Sequence, residues 1–412
     1  MNATLPELDW IETQYEEMCR LLQQWVLINS GSMNLAGLAE MSRSLQAAFG
    51  RLEGEMQEIA LPAKTEIDSH GDPVDLPLGK ALLIQKRPEA ARQVFLGGHM
   101  DTVFAADHPF QKIERLDENR LNGPGVADLK GGLVVILKAL EAFERSSHAD
   151  QIGWKVLINP DEEIGSFGSA PLFEEMAKKS HLGLIFEPAM DDQGTLAAER
   201  KGSGSFTAVV RGKAAHAGRA FGQGRNAVAA LAELIVRIHA FNRKNPRIIL
   251  NVGHIEGGGA INIVPDLAIC RFNVRTHSEE DEGWVWQELN ELAEEFNQRD
   301  GFFLSWHGEF NRKPKLLSKK NRALFEALAA CGKELEIPIQ WKSTGGCCDG
   351  NNLAAAGLPN IDTLGVRGGK IHSDQEYILL DSLTERARLT ALLLMKLSAG
   401  EIDWSMISNA KL

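Results

Sequence analysis

A chain of 412 residues, 44% hydrophobic and 24% charged, has ordinary globular composition and is too long for one hydrophobic core, which predicts two domains. Its formal net charge of -12, spread as scattered Asp and Glu, repels polyanions and argues against nucleic acid as a partner, while leaving room for a small anion held by local cations. No apolar run of about eighteen residues is available to span a membrane, Met1–Trp10 lacks the pattern of a secretory leader, and five cysteines without disulfide-framework spacing suit a reducing cytoplasm.

Apolar residues at helical spacing (Leu8, Ile11, Met18, Leu21, Leu22, Trp25) predict a helix over residues 6–28, and a second follows over 36–51. Strands and helices then alternate: strands at 80–85 and 93–96, a helix at 130–143, a strand at 155–159, a helix at 172–179 and a strand at 183–186. Apolar strands spaced by helices predict an α/β fold, a mixed sheet with helices on both faces. From Ser203 to about Arg312 the pattern changes to strand 205–211, helix 226–241, strands 248–256 and 268–276, helix 284–297 and strand 302–310. That order predicts a ferredoxin-like α+β unit. Helix 320–335, strand 360–364 and helix 379–397 complete the chain. The expected organisation is a discontinuous catalytic domain, residues 1–200 and 316–412, interrupted by an inserted domain over 201–315.

Three predicted strands end in chemistry-bearing residues. Val94-Phe95-Leu96 runs into His99 and Asp101, Val156-Leu157-Ile158 into Glu162 and Glu163, and Leu184-Ile185-Phe186 into Glu187. Ligands of α/β sheets bind outside the carboxyl ends of the strands, so these groups are expected to converge. Each has a plainer explanation by itself. His99 and Asp101 also fit a solvated strand-end pair, Glu162-Glu163 a charged loop, Asp128 a helix N-cap, and His372 a loop histidine. Together, two histidines and several carboxylates form an N/O donor set suited to two divalent cations about 3.5–4 Å apart. Gly222-Gln223-Gly224-Arg225-Asn226-Ala227 formally fits a dinucleotide fingerprint, but no apolar strand precedes it, so it reads as the loop opening the inserted domain's first helix.

Taken jointly, these motifs resemble the co-catalytic zinc peptidase and deacylase family of glutamate carboxypeptidases, acetylornithine deacetylases, succinyl-diaminopimelate desuccinylases and aminoacylases. The resemblance runs from Asn29-Ser30-Gly31-Ser32 to the end of the chain. It rests on Gly98-His99-Met100-Asp101-Thr102-Val103, Gly123 to Gly132, Asp161-Glu162-Glu163-Ile164-Gly165-Ser166, Glu187-Pro188, Lys213-Ala214-Ala215-His216-Ala217-Gly218, Asn262 with Pro265, Arg275, Gly345-Gly346 and His372-Ser373. The resemblance implies that His99 and Glu187 hold one zinc and Glu163 and His372 the other. Asp128 would bridge the two through a segment with a cis Asp128-Leu129 peptide. Glu162 would be the general base and Asp101 the orienter of the histidine. Cobalt or manganese also suits such donors. The inserted domain would act as a lid that pairs with its twin in a homodimer, His216 would polarise the scissile carbonyl in the neighbouring site, and Asn262, Arg275 and Gly346 would bind a substrate carboxylate.

The activity implied is hydrolysis of an amide or peptide bond beside a free carboxylate in a small molecule or short peptide, as in glutamate carboxypeptidases. An N-acyl-amino-acid deacylase ranks second, and a non-catalytic binding relative third, because a binder has no use for the base. Cys347-Cys348 departs from the small or hydroxylic residues more usual in that family and reads as filler beside the substrate pocket.

Overall fold

The computed structural model describes residues 5–408. The larger body is built on a six-stranded sheet in the order Glu55–Ala60, Lys80–Lys86, Gly153–Asn159, Gln93–His99, Leu182–Ile185, Asn360–Ile361. The last four strands run parallel, and Lys80–Lys86 is antiparallel to both its neighbours. Gln93–His99 and Gly153–Asn159 are buried along their whole length, as parallel strands covered on both faces must be. Alternate residues divide between two cores. Leu96, Val156 and Leu184 face the helices Gly131–Phe143 and Ser382–Ser398, whereas Phe95, Leu157 and Ile185 face Phe173 and Leu353 on the helices Ala170–Lys178 and Asp349–Ala355. Among the described residues, no helix is long and apolar enough to cross a membrane.

A second, four-stranded antiparallel sheet lies within residues 202–312, in the order Ile249–Gly257, Leu267–Thr276, Gly202–Arg211, Phe303–Arg312. With helices Ala227–His239 and Glu279–Asn297 it has ferredoxin-like order and its own core, in which Phe206, Leu234, Phe272 and Phe296 are buried. A hairpin of the larger body, Lys64–Ile67 paired with Pro73–Leu76, reaches onto this sheet and buries Ile67 against Val209 and Ile269. The chain passes between the two bodies at adjacent points. Arg200 and Lys315 exchange main-chain hydrogen bonds at 2.9 Å in both directions. Their side chains converge on buried Asp362, with Arg200 donating to both carboxylate oxygens at 2.9 Å and Lys315 to one at 2.7 Å.

Several boundaries differ from the sequence reading. The periodicity over 6–28 conceals two helices, Pro6–Thr13 and Tyr15–Val26, separated at Gln14. The helix expected from Trp284 begins at Glu279, because Ser278 and Asp281 cap it reciprocally and the acidic first turn suits the N-terminal end of the helix dipole. The strand expected to stop at 310 continues to Arg312. Strand pairing ends at Ile361, leaving Asp362 and Thr363 in a loop, and the last long helix starts at Ser382 after a short strand, Tyr377–Leu379. The exposed edge strand Glu55–Ala60 and the Lys64–Leu76 hairpin, largely polar, gave no apolar pattern to read.

Candidate metal centre

The parallel strands place their carboxyl ends along one rim of the sheet. His99 is the last residue of its strand, Glu162 and Glu163 follow Asn159, and Glu187 follows Ile185. His99 Nε2 lies 3.1 Å from Asp128 Oδ1 and 3.9 Å from Glu187 Oε1. His372 Nε2 lies 3.2 Å from Asp128 Oδ2 and 3.2 Å from Glu163 Oε2. One aspartate therefore stands between two imidazoles, each with a further carboxylate beside it.

Asp101 does more than face the histidine. The Nδ1 of His99 meets the Asp101 main-chain carbonyl at 3.0 Å and the carboxylate at 3.4 Å. The carboxylate itself accepts from the Ser32 hydroxyl at 2.7 Å and from the main-chain N–H groups of Glu162 and Glu163 at 3.2 and 3.1 Å. A single buried residue thus fixes the imidazole, through its main-chain carbonyl, and the turn carrying the paired glutamates, through its carboxylate.

Asp128 sits in an irregular turn, Val126–Lys130, entered through Gly125 at φ +75° and containing a cis Asp128-Leu129 peptide. Its side chain does not cap the following helix, so the N-cap reading of the sequence does not hold. Glu376, which the sequence reading missed, cradles this turn: its carboxylate accepts the main-chain N–H groups of Gly125, Ala127 and Asp128 at 3.1, 2.9 and 3.0 Å. The one signal available was its position shortly after His372. Gly132 lets the helix abut the strand that delivers Glu187, since a Cβ there would lie 2.2 Å from the Phe186 carbonyl oxygen.

The crowding of carboxylates has an electrostatic cost. Burial, together with the charge of Asp128, pushes Glu163 up to about 8 against the downward pull of His372. The same causes drive Glu187 well above the usual carboxylate range. Hydrogen bonds to Asp128 and Glu163 raise His372 to about 11. Buried anions set side by side are the expected surroundings of bound cations, and the donor atoms fit them. Oxygen and nitrogen atoms of His99, Asp128 and Glu163, and of His99, Glu162 and Glu187, form two groups within which all atoms lie within 4.8 Å of one another.

These residues open into a cavity of about 420 Å³. Its lining includes the carboxylates of Asp128, Glu162, Glu163 and Glu187 together with His372, and also Arg200, Arg275, Gly346 and Cys347. Arg275 Nη1 donates to Cys347 Sγ at 2.9 Å, and that thiol donates to the Lys201 carbonyl at 3.0 Å. Cys347 is therefore a hydrogen-bonded neighbour of the guanidinium rather than filler, while Cys348 is buried among apolar side chains. His216 lies on the short strand Ala215–His216 and Asn262 just before its partner strand Ile263–Val264; both are exposed, and neither lines this cavity. Two further side chains escaped the sequence reading: Arg200, held by Asp362, and Arg312, whose Nη1 lies 2.7 Å from Glu162 Oε1.

The profile of Peptidase family M20/M25/M40 matches residues 95–396. Carboxypeptidase G2 of Pseudomonas sp. (strain RS-16) is 30% identical over 390 residues, covering 93% of this chain and 89% of that protein. Succinyl-diaminopimelate desuccinylase of Hahella chejuensis (strain KCTC 2396) is 28% identical over 331 residues, covering 76% and 84%. Among solved structures, an M20 family metallo-carboxypeptidase of Sulfolobus solfataricus shares the fold with a TM-score of 0.71 at 16% identity, over 93% of this chain and 99% of that one. A dinuclear metal-binding peptidase of Bacillus subtilis does so with a TM-score of 0.64 at 12% identity, over 94% and 99%.

Proposed function

The chain belongs to Peptidase family M20/M25/M40 and is a hydrolytic enzyme; from that premise we propose that it cleaves an amide or peptide bond next to a free carboxylate, in the manner of a glutamate carboxypeptidase. The observation that carries this reading is the shared cavity, whose lining includes both Arg275 and Glu162. A carboxylate held by Arg275 leaves the adjacent amide in the same cavity as Glu162.

In this reading His99 and Glu187 would hold one divalent cation, Glu163 and His372 would hold the other, and Asp128 would serve both. Zinc is the natural occupant of such an N/O set, with cobalt or manganese as substitutes. The cations, when bound, supply Lewis-acid polarisation of the carbonyl and lower the pKa of water toward neutrality. Glu162 takes the proton of the attacking water and returns it to the leaving amine nitrogen. Asp101 keeps His99 in one tautomer and holds the Glu162-Glu163 turn in register. Arg275 offers a planar fork to the substrate carboxylate, with Gly346 leaving room for it.

His216 and Asn262, on the surface of the inserted domain, act on the active site of a second copy, where His216 donates to the carbonyl oxygen as it gains charge. A homodimer through the inserted domain is supported by apolar exposure there. Val236 on the helix Ala227–His239 is 69% exposed, and Ile255 on the edge strand Ile249–Gly257 is 60% exposed. The five free thiols suit a reducing cytoplasm.

A deacylase of N-acyl amino acids would need the same carboxylate clamp, and the similarity to a desuccinylase keeps it as the second reading. A turnover screen of the zinc-loaded enzyme separates the two. Peptides and folates ending in Glu or Asp are compared with N-acetyl and N-succinyl amino acids. The proposal expects the first group to be preferred, and a clear preference for the acyl compounds overturns it.

A further inference from the structure

The strand Phe303–Arg312 belongs to the inserted domain, yet its last two residues grip the turn that carries Glu162 and Glu163. Asn311 Nδ2 donates to the Gly165 carbonyl at 2.8 Å. Arg312 Nη2 donates to the Glu162 carbonyl at 3.1 Å and to the Ser166 hydroxyl at 2.8 Å, and Nη1 lies 2.7 Å from Glu162 Oε1. Ser166 in turn donates to Asp349 at 2.6 Å, and Asp349 also lies 3.6 Å from the guanidinium. Arg312 is only 4% exposed, so its charge is matched by protein carboxylates rather than by water.

From this we infer that Arg312 is a positioning residue for Glu162, tying the orientation of the base to the inserted domain; the inference rests on the reading of Glu162 as the base. A carboxylate at the end of a glutamate side chain has three rotatable bonds. Proton transfer requires it to lie within hydrogen-bond reach of the water and then of the amine. The guanidinium restrains one carboxylate oxygen, Oε1, as a close ion pair. The same side chain also fixes the main chain of Glu162, so backbone and carboxylate move as one piece. Because Arg312 lies next to the point where the chain returns to the larger body, reorientation of the inserted domain reaches the Glu162 side chain through Arg312 and its turn through Asn311 as well.

The test compares Arg312→Met and Arg312→Lys, each alone and combined with Glu162→Gln, in the metal-loaded enzyme. Arg312→Met is expected to lower kcat about 100-fold with KM changed less than about threefold, the pattern of a misplaced group rather than of lost substrate binding. Metal content should be unchanged, and amide exchange over residues 161–169 should accelerate. Arg312→Lys, which keeps the charge but not the fork, should recover part of the loss and also serves if the methionine variant fails to fold. In the Glu162→Gln background, removing Arg312 should cost no further activity. A loss there as large as in the native background overturns the inference and leaves the base assignment standing. If Glu162→Gln alone retains activity, the base assignment falls and the inference falls with it.

Discussion

The buried carboxylate of Glu376 accepts the main-chain N–H of Asp128 at 3.0 Å, although 248 residues separate them. Glu376 thereby sets the position of a side chain that both imidazoles approach. Replacing it by glutamine leaves one oxygen to accept from Ala127 and Asp128 but turns an amide N–H against the main-chain N–H of Gly125. Glu376→Gln should weaken metal binding about 10–100-fold, the usual effect of losing a group that orients ligands. Competition with a chelator measures this, and native affinity in the variant would show that the turn holds its shape unaided.

Glu162→Gln should retain fold and metal content while turnover falls by roughly 10²–10⁴-fold, the contribution of a positioned proton-transfer group. Steady-state kinetics with metal analysis of the same samples provides the check. An active variant with full metal content removes Glu162 from the mechanism.

Glu17 lies far from the cavity and predicts an acid-side effect. Hydrogen bonds from Arg51 at 2.5 Å and Lys138 at 2.9 Å hold its carboxyl down at about 2, against 4.5 for the free group. A carboxyl depressed in the folded state contributes its full stability above the unfolded value and loses it as the pH falls toward the folded one. The stability advantage of the native protein over Glu17→Gln should therefore be complete at pH 5 and shrink as pH falls from 4.5 toward about 2. Urea unfolding with chelator present, so that metal release adds nothing, tests this. A difference independent of pH excludes the ion pairs as its source.

Gly132→Ala places a methyl group 2.2 Å from the Phe186 carbonyl oxygen, a contact that forces the helix or the strand to move. Destabilisation of about 1–3 kcal/mol is expected, with weaker metal binding because Glu187 follows that strand end directly. Thermal unfolding and chelator competition read the two effects, and a native-like melting temperature would mean the two elements separate freely.

Light scattering should find the native protein as a dimer, and Val236→Glu should yield a folded monomer with much reduced turnover. A charge at a covered apolar position opposes association at little cost to the isolated fold. A monomeric native enzyme with full activity would remove His216 and Asn262 from the site.

The segments bearing candidate ligands were legible because each joins a local pattern, an apolar strand, to the residue at or just past its end. His99, Glu163 and Glu187 are all of this kind, and the sheet's parallel order brings them together. His372 and Asp128 lie on irregular turns, and it was the resemblance to a known family, rather than periodicity, that joined them to the others. Glu376, Arg312 and Asp362 were not legible. Their partners are main-chain N–H groups or ions remote in sequence, and no local spacing encodes such a meeting. Asp101 was legible in part. Its proximity to His99 follows from strand geometry, but its hold on the Glu162-Glu163 turn depends on two strands lying side by side.

The main-chain hydrogen bonds between Arg200 and Lys315 join the two connections in a single antiparallel bridge, with Asp362 bonded to both side chains. A two-residue hairpin turn spans that gap. Short as that bridge is, the insert is no detachable cassette: excising residues 201–314 would keep every candidate metal ligand in one polypeptide but would strip Arg312 from Glu162 and lay bare Ile67.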